Sequence, residues 1–251
     1  RMSASRAKRK RRSRGRGPFT LAIDVGGTGL KASVLDARGR MVTGRVRMDT
    51  PYPCPPEVMV DALAKLVEPL PRFDRVSVGF PGVVRDVHII TAPHFGNDIW
   101  HGFDLAAELG DRLGKPVRVL NDADMQGLAA IHGHGLELVI TLGTGVGSAL
   151  FRDGELMPHL ELAHHPVWKK KTYNQYIGEA ARKKIGNKKW NRRVASALDI
   201  LRTLFNFDQL HIGGGNAKRL KIKLPAGTRT VSNQRGILGG IALWAPPDKK
   251  R

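Results

Sequence analysis

The sequence predicts an α/β fold, because short apolar runs typical of buried strands alternate with segments that repeat apolar residues at helical spacing. Glycine or proline turns follow several of the strand-like runs, so many element boundaries are well marked. The chain has 251 residues, 41% hydrophobic and 25% charged, which is ordinary for a globular protein of one large domain or two small ones.

Local signals define the elements of the first half. The run from Phe19 is apolar and stops at glycines, which predicts a buried strand. A proline at the start of segment 56–70 suits the first turn of a helix, and Asp104 is able to cap another helix. In order, the predicted elements are a strand in 19–27, two strands in 31–48 with a turn at Arg38-Gly39, a helix in 56–70, a strand in 75–82, a helix in 103–114, a strand in 116–122 and a helix in 123–133.

The second half contains two predicted helices, separated by Gly186-Asn187. Their apolar stripes, at helical spacing, are Tyr173, Tyr176, Ile177, Ala180, Ala181 and Ile185, then Trp190, Val194, Leu198, Leu201 and Phe205. The other predicted elements are a strand, glycine turn and return strand in 137–156, strands in 209–215 and 229–233, and a short helix in 236–244.

Composition excludes several protein classes. No stretch approaches the ~20 consecutive apolar residues of a transmembrane helix. The basic N-terminus lacks the apolar core of a secretory signal. Cys54 is the only cysteine, which excludes an internal disulfide and a cysteine-based zinc site. We therefore expect a cytoplasmic protein.

The net charge of +20 is concentrated in two segments. Residues 1–17 hold nine Lys or Arg and no acid, and residues 166–193 hold ten against one acid, Glu179. The first segment has almost nothing to bury, which predicts a disordered arm able to touch nucleic acid nonspecifically. Basic segments of this kind favour polyanions: nucleic acid, an anionic membrane or a polymeric phosphate. We call residues 166–193 the basic block.

Three glycine loops, 24–28, 143–147 and 213–216, follow predicted strands. Glycines let backbone N–H groups approach an anion closely, so each loop is a candidate phosphate cradle, although a tight hairpin turn gives the same pattern. The first two loops each add a threonine hydroxyl. Asp24 is able to hold a divalent metal, and Lys31 is either a phosphate partner or a solvated lysine. None of the loops fits the Walker pattern or a G-x-G-x-x-G that opens a helix.

Two short polar motifs add candidate chemistry. Asn121-Asp122 stands at the carboxyl end of a predicted strand, where open α/β sheets bind ligands, and the alternative is that Asp122 caps the next helix. Glu161 and His164 stand three residues apart, a spacing that is more often structural than functional. Metal binding is the rival interpretation, but too few further ligands are evident.

Together these motifs resemble the sugar kinases of the ROK family. The parts that occur in that family's order and approximate spacing, over about residues 19–245, are the three glycine loops, Gly79-Phe80-Pro81-Gly82, Asn121-Asp122 and Glu161-Leu162-Ala163-His164. The resemblance implies the actin-like (ribonuclease H-like) two-domain ATPase fold with a cleft between domains, usually dimeric. We expect an N-terminal α/β domain in 18–119, joined by a C-terminal helix of about 235–245, and a C-terminal α/β domain in 120–234.

The resemblance also implies residue roles. It implies that the phosphate or nucleotide is bound by Asp24, Gly26, Gly27, Thr28, Gly143, Thr144, Gly145, Gly214, Gly215 and Asn216. Sugar binding falls to Gly82, Asn121, Asp122, Glu161 and His164, and Mg²⁺ accompanies the phosphoryl donor. Asp122 matches the catalytic base, which we expect to be ionised near neutrality from an ordinary pKa of ~3.9. Where many relatives have a second sugar-binding glutamate, this chain has Asn174 with Glu179 nearby, and Ala163 replaces the usual glycine.

The basic block and the missing zinc cysteines are similar to the branch of the family that phosphorylates glucose from inorganic polyphosphate and often also from ATP. We expect transfer of a terminal phosphoryl group to the 6-hydroxyl of glucose or a related hexose. Polyphosphate would be guided by Lys169, Lys170, Lys183 and Lys184. An ATP-only hexokinase is the closest alternative. A sugar-responsive or nucleic-acid-binding relative without kinase activity is the other, although a repressor needs a helix-turn-helix where this chain has a basic arm.

Overall fold

The computed structural model describes residues 17–232 and 239–245. Residues 1–16 of the predicted arm and 235–238 of the predicted C-terminal helix lie outside this range. Two five-stranded mixed sheets with helices packed on them make up the fold, which confirms the α/β class. Within the described residues, no helix is both long and apolar enough to cross a membrane.

The first sheet is built from the chain up to Asn121. In order, the elements are β1 (Thr20–Val25), β2 (Leu30–Leu35), β3 (Val46–Met48), α1 (Pro56–Val67), β4 (Arg75–Phe80), β5 (Val84–Arg85), β6 (His88–Ile89), α2 (Asn97–Trp100), α3 (Leu105–Leu113) and β7 (Val117–Asn121). The sheet order is β3-β2-β1-β4-β7. β1, β2 and β3 pair antiparallel, whereas β4 and β7 run parallel to β1, so β1, β4 and β7 end at one edge.

The second sheet repeats this plan. Its part of the chain contains α4 (Asp122–Leu128), β8 (Leu136–Leu142), β9 (Val146–Arg152), β10 (Glu155–Leu156), a 3₁₀ turn (Leu162–His164), β11 (Pro166–Trp168), β12 (Lys171–Thr172), α5 (Tyr173–Ile177), α6 (Glu179–Phe205), β13 (Gln209–Gly213), a 3₁₀ turn (Ala217–Arg219) and β14 (Thr228–Thr230). The last helix, α7 (Gly239–Ala242), follows these elements. The order is β10-β9-β8-β13-β14, again an antiparallel meander followed by two parallel strands. The first two glycine loops therefore occupy equivalent positions, each joining the first two strands of its sheet.

Each sheet has its own apolar core. In the first core, Phe80 packs on Trp100, whose indole N–H donates to the Cys54 carbonyl at 3.0 Å. In the second core, Trp190 is fully buried and donates to the Ile177 carbonyl at 2.7 Å. Both tryptophans thus bury a large apolar ring while satisfying their one polar atom, as burial requires.

The helices of the basic block differ from the prediction at one position. The expected break at Gly186 is confirmed, because Gly186 has φ 78° and kinks α6. A second break at Gly178 was not predicted: its backbone is extended and separates α5 from α6. A Cβ at Gly178 would lie 2.5 Å from the Asn174 carbonyl oxygen, so the sharp turn requires glycine.

The C-terminal helix α7 returns to the first sheet. The Ser77 hydroxyl donates to the Gly240 carbonyl at 2.6 Å and accepts from the Trp244 indole at 2.8 Å. The guanidinium groups of Arg75 and Arg118 both lie over the Trp244 ring, at 5.2 and 4.3 Å from its centre. The C-terminal helix therefore packs on the same sheet that contains the N-terminal strand β1.

Candidate active site

A cleft of about 460 Å³ is lined by residues of both halves of the chain. Of the residues that the sequence singles out for binding or catalysis, the cleft brings together Asp24, Gly26, Gly27, Thr28, Lys31, Gly82, Asn121, Asp122, Gly143, Thr144, Gly145, Glu161, His164, Gly214 and Gly215. Asn216 and the four lysines of the predicted polyphosphate site do not line it. One cleft thus gathers motifs that lie up to 191 residues apart in sequence (Asp24 to Gly215).

The first glycine loop is both a hairpin turn and a wall of the cleft. It joins β1 to β2, and the Gly26 N–H donates to the Gly29 carbonyl at 3.1 Å. The hydroxyls of Thr50 and Tyr52 each donate at 2.6 Å to the carbonyls of Gly26 and Gly27. Because these donors belong to a different segment of the chain, they fix the loop carbonyls in place. The loop backbone is thereby held in a conformation that suits phosphate binding.

Lys31 forms an ion pair in the cleft and is partly exposed. Its ammonium group lies 3.2 Å from the Asp24 carboxylate inside the cleft. Arg47, which the sequence reasoning missed, also lines the cleft and is the cross-strand neighbour of Lys31 in the β2–β3 pair. The strand register between segments 31–36 and 46–48 was the signal that could have placed the two cations side by side.

The second glycine loop is held by the start of the basic block. Asn174 accepts the Val146 N–H at 2.6 Å, and the Glu179 N–H donates to the Thr144 carbonyl at 3.2 Å. A Cβ at Gly145 would lie 2.9 Å from the Asn174 side-chain oxygen. Asn174 lines the cleft, but its oxygen is used to orient the loop.

The third glycine loop is explained mainly by chain packing. Gly214 has φ 87°, and a Cβ there would lie 2.3 Å from the Leu142 carbonyl oxygen, so the glycine is pressed against β8. Asn216 donates to the Gly143 carbonyl at 3.2 Å and to the Glu179 carboxylate at 2.8 Å. Its observed contacts therefore brace the second loop from behind, and the carboxylate of Glu179 is shared between Asn216 and Arg182.

Asn121, and not Asp122, caps helix α4. The Asn121 side-chain oxygen accepts the N–H groups of Ala123 and Asp124 at 2.8 and 3.3 Å, while its amide donates to the Gly82 carbonyl at 3.0 Å. Asp122 is the first helical residue and lines the cleft. The helix-cap interpretation of Asp122 is thus wrong, because the neighbouring amide fills that position.

The environment of Asp122 differs from the expectation of an ordinary carboxylate. Burial raises its pKa to about 7; the negative charge of Asp24 adds to this, and the Ala123 N–H opposes it. Gly79, on β4 between β1 and β7, packs against helix α4: a Cβ there would lie 2.7 Å from the Met125 Cε and 3.4 Å from the Asp122 Cα. A carboxyl group with a pKa near 7 suits a general base at neutral pH.

The predicted sugar-binding turn carries a polar pair that the sequence reasoning missed. Glu161 immediately precedes the 3₁₀ turn, His164 is the last residue of the turn, and both line the cleft. Beside them lies His159, whose Nδ1 is 3.0 Å from the carboxylate of the buried Asp124. His159 also faces Glu161, with 3.8 Å between His159 Nε2 and Glu161 Oε2. His159 and Asp124 each stand two positions from a predicted residue, Glu161 and Asp122. No sequence pattern indicates that these two residues are in contact.

The basic block adjoins the cleft at the first turn of α6. Arg182 forms an ion pair with Glu179 at 2.7 Å. Lys183 and Lys184, about one helical turn after Glu179, are exposed. Lys169 and Lys170 form the tip of the β11–β12 hairpin, both with positive φ. At 1.5 Å per residue, Lys183 lies roughly 6 Å along the helix axis from the residue that contacts Thr144.

Comparisons with known proteins agree with this architecture. The family model described as "ROK family" matches residues 20–160, which is more than half of the chain. The solved inorganic polyphosphate/ATP-glucomannokinase from Arthrobacter sp. strain KM is 31% identical and has a TM-score of 0.80, covering 91% of this chain and 100% of its own. The polyphosphate glucokinase of Mycobacterium tuberculosis is 29% identical over 233 residues, covering 86% of this chain and 88% of its own.

A more distant neighbour supports the fold alone. The ROK family glucokinase from Streptomyces griseus, solved with glucose and AMPPNP, is 20% identical with a TM-score of 0.75, covering 90% of this chain and 98% of its own. These neighbours share the actin-like ATPase fold. The family match and the structural similarity along nearly the whole chain show that this protein belongs to the ROK family and has the fold of its sugar kinases.

Proposed function

We propose that this protein transfers the terminal phosphoryl group of inorganic polyphosphate, and also of ATP, to the 6-hydroxyl of glucose or a related hexose. The observation that carries the proposal is that one cleft is lined by Asp122, Glu161, His164 and the first two glycine loops. Phosphoryl transfer requires positioning and charge neutralisation more than covalent help, and the cleft offers both.

Asp122 acts as the general base. Its carboxylate accepts the proton of the sugar hydroxyl while the hydroxyl oxygen attacks the terminal phosphorus atom and the donor bridge oxygen leaves. With a pKa of about 7, the group is present as carboxylate in a large fraction of molecules at neutral pH and is basic enough to take the proton. Glu161 and His164 bind neighbouring sugar hydroxyls, and Asn121 has one amide N–H left to join them.

The donor side combines glycine loops with cations. Gly26, Gly27, Thr28, Gly143, Thr144 and Gly145 surround the phosphates, and Lys31 and Arg47 add positive charge at the same wall. Asp24 and Asp122 repel one another strongly enough to help raise the pKa of Asp122, so a divalent cation suits this place. Asp24 would hold Mg²⁺, directly or through water, and the ion would neutralise donor phosphate charge.

Two findings favour polyphosphate as a donor. Two relatives that are about 30% identical and match along 88–100% of their own length are named polyphosphate glucokinase and polyphosphate/ATP-glucomannokinase. The basic block is joined to the second loop through Glu179, so a polyanion whose end reaches Thr144 continues over Lys183 and Lys184. Lys169 and Lys170 are assigned to the same path.

A matrix of donors and sugars tests the proposal. Hexose 6-phosphate formation is measured with long-chain polyphosphate or ATP against glucose, mannose and N-acetylmannosamine. We expect glucose to be phosphorylated from both donors. Activity with ATP alone would favour the ATP-only hexokinase, and hexose binding without turnover would favour a regulatory relative.

The remaining assignments rest on the resemblance. We propose domains of residues 18–119 with the C-terminal helix and of residues 120–234, and also a homodimer in the cytoplasm. Light scattering during size-exclusion chromatography tests the dimer, since a mass near the 27.5 kDa of one chain would contradict it.

A further inference from the structure

His159 has one nitrogen bound and the other unbound. Its side chain is 5% exposed, and Nδ1 lies 3.0 and 3.1 Å from the two carboxylate oxygens of Asp124. Asp124 is itself 3% exposed and belongs to α4, the helix that begins with Asp122. The ring is therefore fixed from the side of the helix that carries the proposed base.

The second ring nitrogen points towards the sugar-binding turn. Nε2 is buried and has no hydrogen-bond partner among the described residues. Its nearest acid is Glu161, whose Oε2 lies 3.8 Å away, and both residues line the cleft. A buried donor without a partner is costly, so a shift of about 1 Å that brings Glu161 to hydrogen-bond distance is favoured.

The surrounding charges make His159 a cation. The charged groups that act on it are Asp124 on α4 and Glu161 beside the turn, and His164 in turn acts on Glu161. Burial lowers the pKa of His159, but the interactions with Asp124 and Glu161 outweigh burial and raise it to about 9. Both ring nitrogens therefore carry protons near neutrality, and Nε2–H is a donor aimed at Glu161.

We propose that His159 is a positioning residue for hexose binding: fixed by Asp124, it holds the Glu161 carboxylate in the orientation that accepts a sugar hydroxyl. It thereby ties the sugar-binding turn to the helix that bears Asp122, so that sugar and base are aligned together. The role of Glu161 in this statement rests on the proposed function, whereas the Asp124–His159–Glu161 connection does not.

A double-mutant cycle separates positioning from general support of the fold. His159→Asn keeps a donor at the place of Nδ1, for Asp124, and removes the atom that faces Glu161. We expect the glucose KM and Kd to rise at least about tenfold, as for loss of a hydrogen bond to a charged group, with the donor KM within twofold. In the Glu161→Gln background, the same substitution should add less than twofold, because its partner is already lost.

His211→Gln is the matched control. His211 is also a buried histidine bound to a buried carboxylate, with Nε2 2.6 Å from Glu137, but it lies outside the cleft. Its substitution should leave the glucose KM unchanged. His159→Gln, which restores a donor near the position of Nε2, should recover part of the loss. Two results would overturn the proposal. One is that His159→Asn raises the glucose Kd by the same factor in the wild-type and Glu161→Gln backgrounds. The other is an unchanged glucose Kd in a folded His159→Asn protein.

A measurement on the wild-type protein does not depend on whether variants fold. Proton–nitrogen NMR of the histidine rings should show both nitrogens of His159 protonated at pH 7. A neutral ring would contradict the positioning role whatever the enzyme's activity. Failure of the wild type to phosphorylate any hexose would instead contradict the proposed function, while the cycle measured on glucose Kd would still test the connection.

Discussion

Neutralising the exposed lysines of the basic block should weaken polyphosphate use much more than ATP use. The variant replaces Lys169, Lys170, Lys183 and Lys184 by glutamine. All four are exposed, and Lys183 forms only a 3.8 Å ion pair with Glu179. The substitutions therefore remove positive charge with little loss of packing, and the fold should tolerate them.

Counterion release sets the size of the effect. By analogy with single-stranded nucleic acid, each lysine that neutralises a phosphate adds about 0.7 to the slope of log affinity against log salt, so four add about 2.8. Between 50 and 200 mM salt, a fourfold change, that slope corresponds to roughly 50-fold in affinity. The rise of the polyphosphate KM over this range should therefore be roughly 50-fold smaller in the variant than in the wild type.

The assay measures glucose 6-phosphate formation at several KCl concentrations, with long-chain polyphosphate or ATP and constant Mg²⁺. A control variant carries the same charge change at exposed positions outside the cleft: Arg38, Lys65, Arg72 and Arg85 to glutamine. It should retain the wild-type salt slope. Equal slopes in the wild type and the four-lysine variant, or an equal KM change for ATP, would refute the path over the basic block.

Three further predictions follow from particular contacts. Because burial and Asp24 raise the pKa of Asp122 to about 7, and only the deprotonated form accepts a proton, kcat/KM should fall towards tenfold per pH unit below pH 7; a profile flat down to pH 5 would indicate an ordinary carboxylate. Glu161→Gln and His164→Ala should each raise the glucose KM with the donor KM nearly unchanged, and a tightly bound transition metal lost on His164→Ala would contradict sugar binding by this turn. Gly214→Ala should lower the free energy of unfolding by about 3 kcal/mol in denaturant titration, since it combines positive φ with a clash against Leu142, whereas Gly44→Ala, with open space around it, should have little effect.

Much of the fold was predictable because local patterns and tertiary structure agree. The apolar runs that end in glycine became β1 and β8, and the Asp104 cap of α3 accepts the Ala107 N–H at 2.9 Å as expected. The pieces without strong periodicity were not predicted: the β5–β6 hairpin, α2, and the break at Gly178, where the backbone passes too close to the Asn174 carbonyl for any side chain.

The parts of the candidate site that belong to recognisable sequence motifs were predictable. The parts that depend on contacts between residues distant in sequence were not. Asp24 and Asp122 come to one cleft because the carboxyl ends of the parallel strands β1 and β7 lie at one edge of the first sheet, and the motif that contains Glu161 lines the same cleft. The raised pKa of Asp122 was not foreseen, because it depends on three-dimensional burial and on the charge of Asp24. His159 was missed for the same reason, since its partner Asp124 stands 35 residues earlier.

The most direct test of the central claim compares the wild type with Asp122→Asn. We expect kcat for glucose phosphorylation to fall by about 10²–10⁴-fold with either donor, while the glucose Kd changes by less than about threefold. A melting curve shows whether the variant is folded. Because the pKa of Asp122 is raised in the folded state, deprotonation of this group between about pH 4 and pH 7 lowers the free energy of unfolding. Asp122→Asn removes this titration, so at pH 8 the variant should melt at a temperature no lower than that of the wild type. A well-folded Asp122→Asn protein that turns over within about threefold of the wild-type rate would contradict the claim that Asp122 is the catalytic base of this cleft.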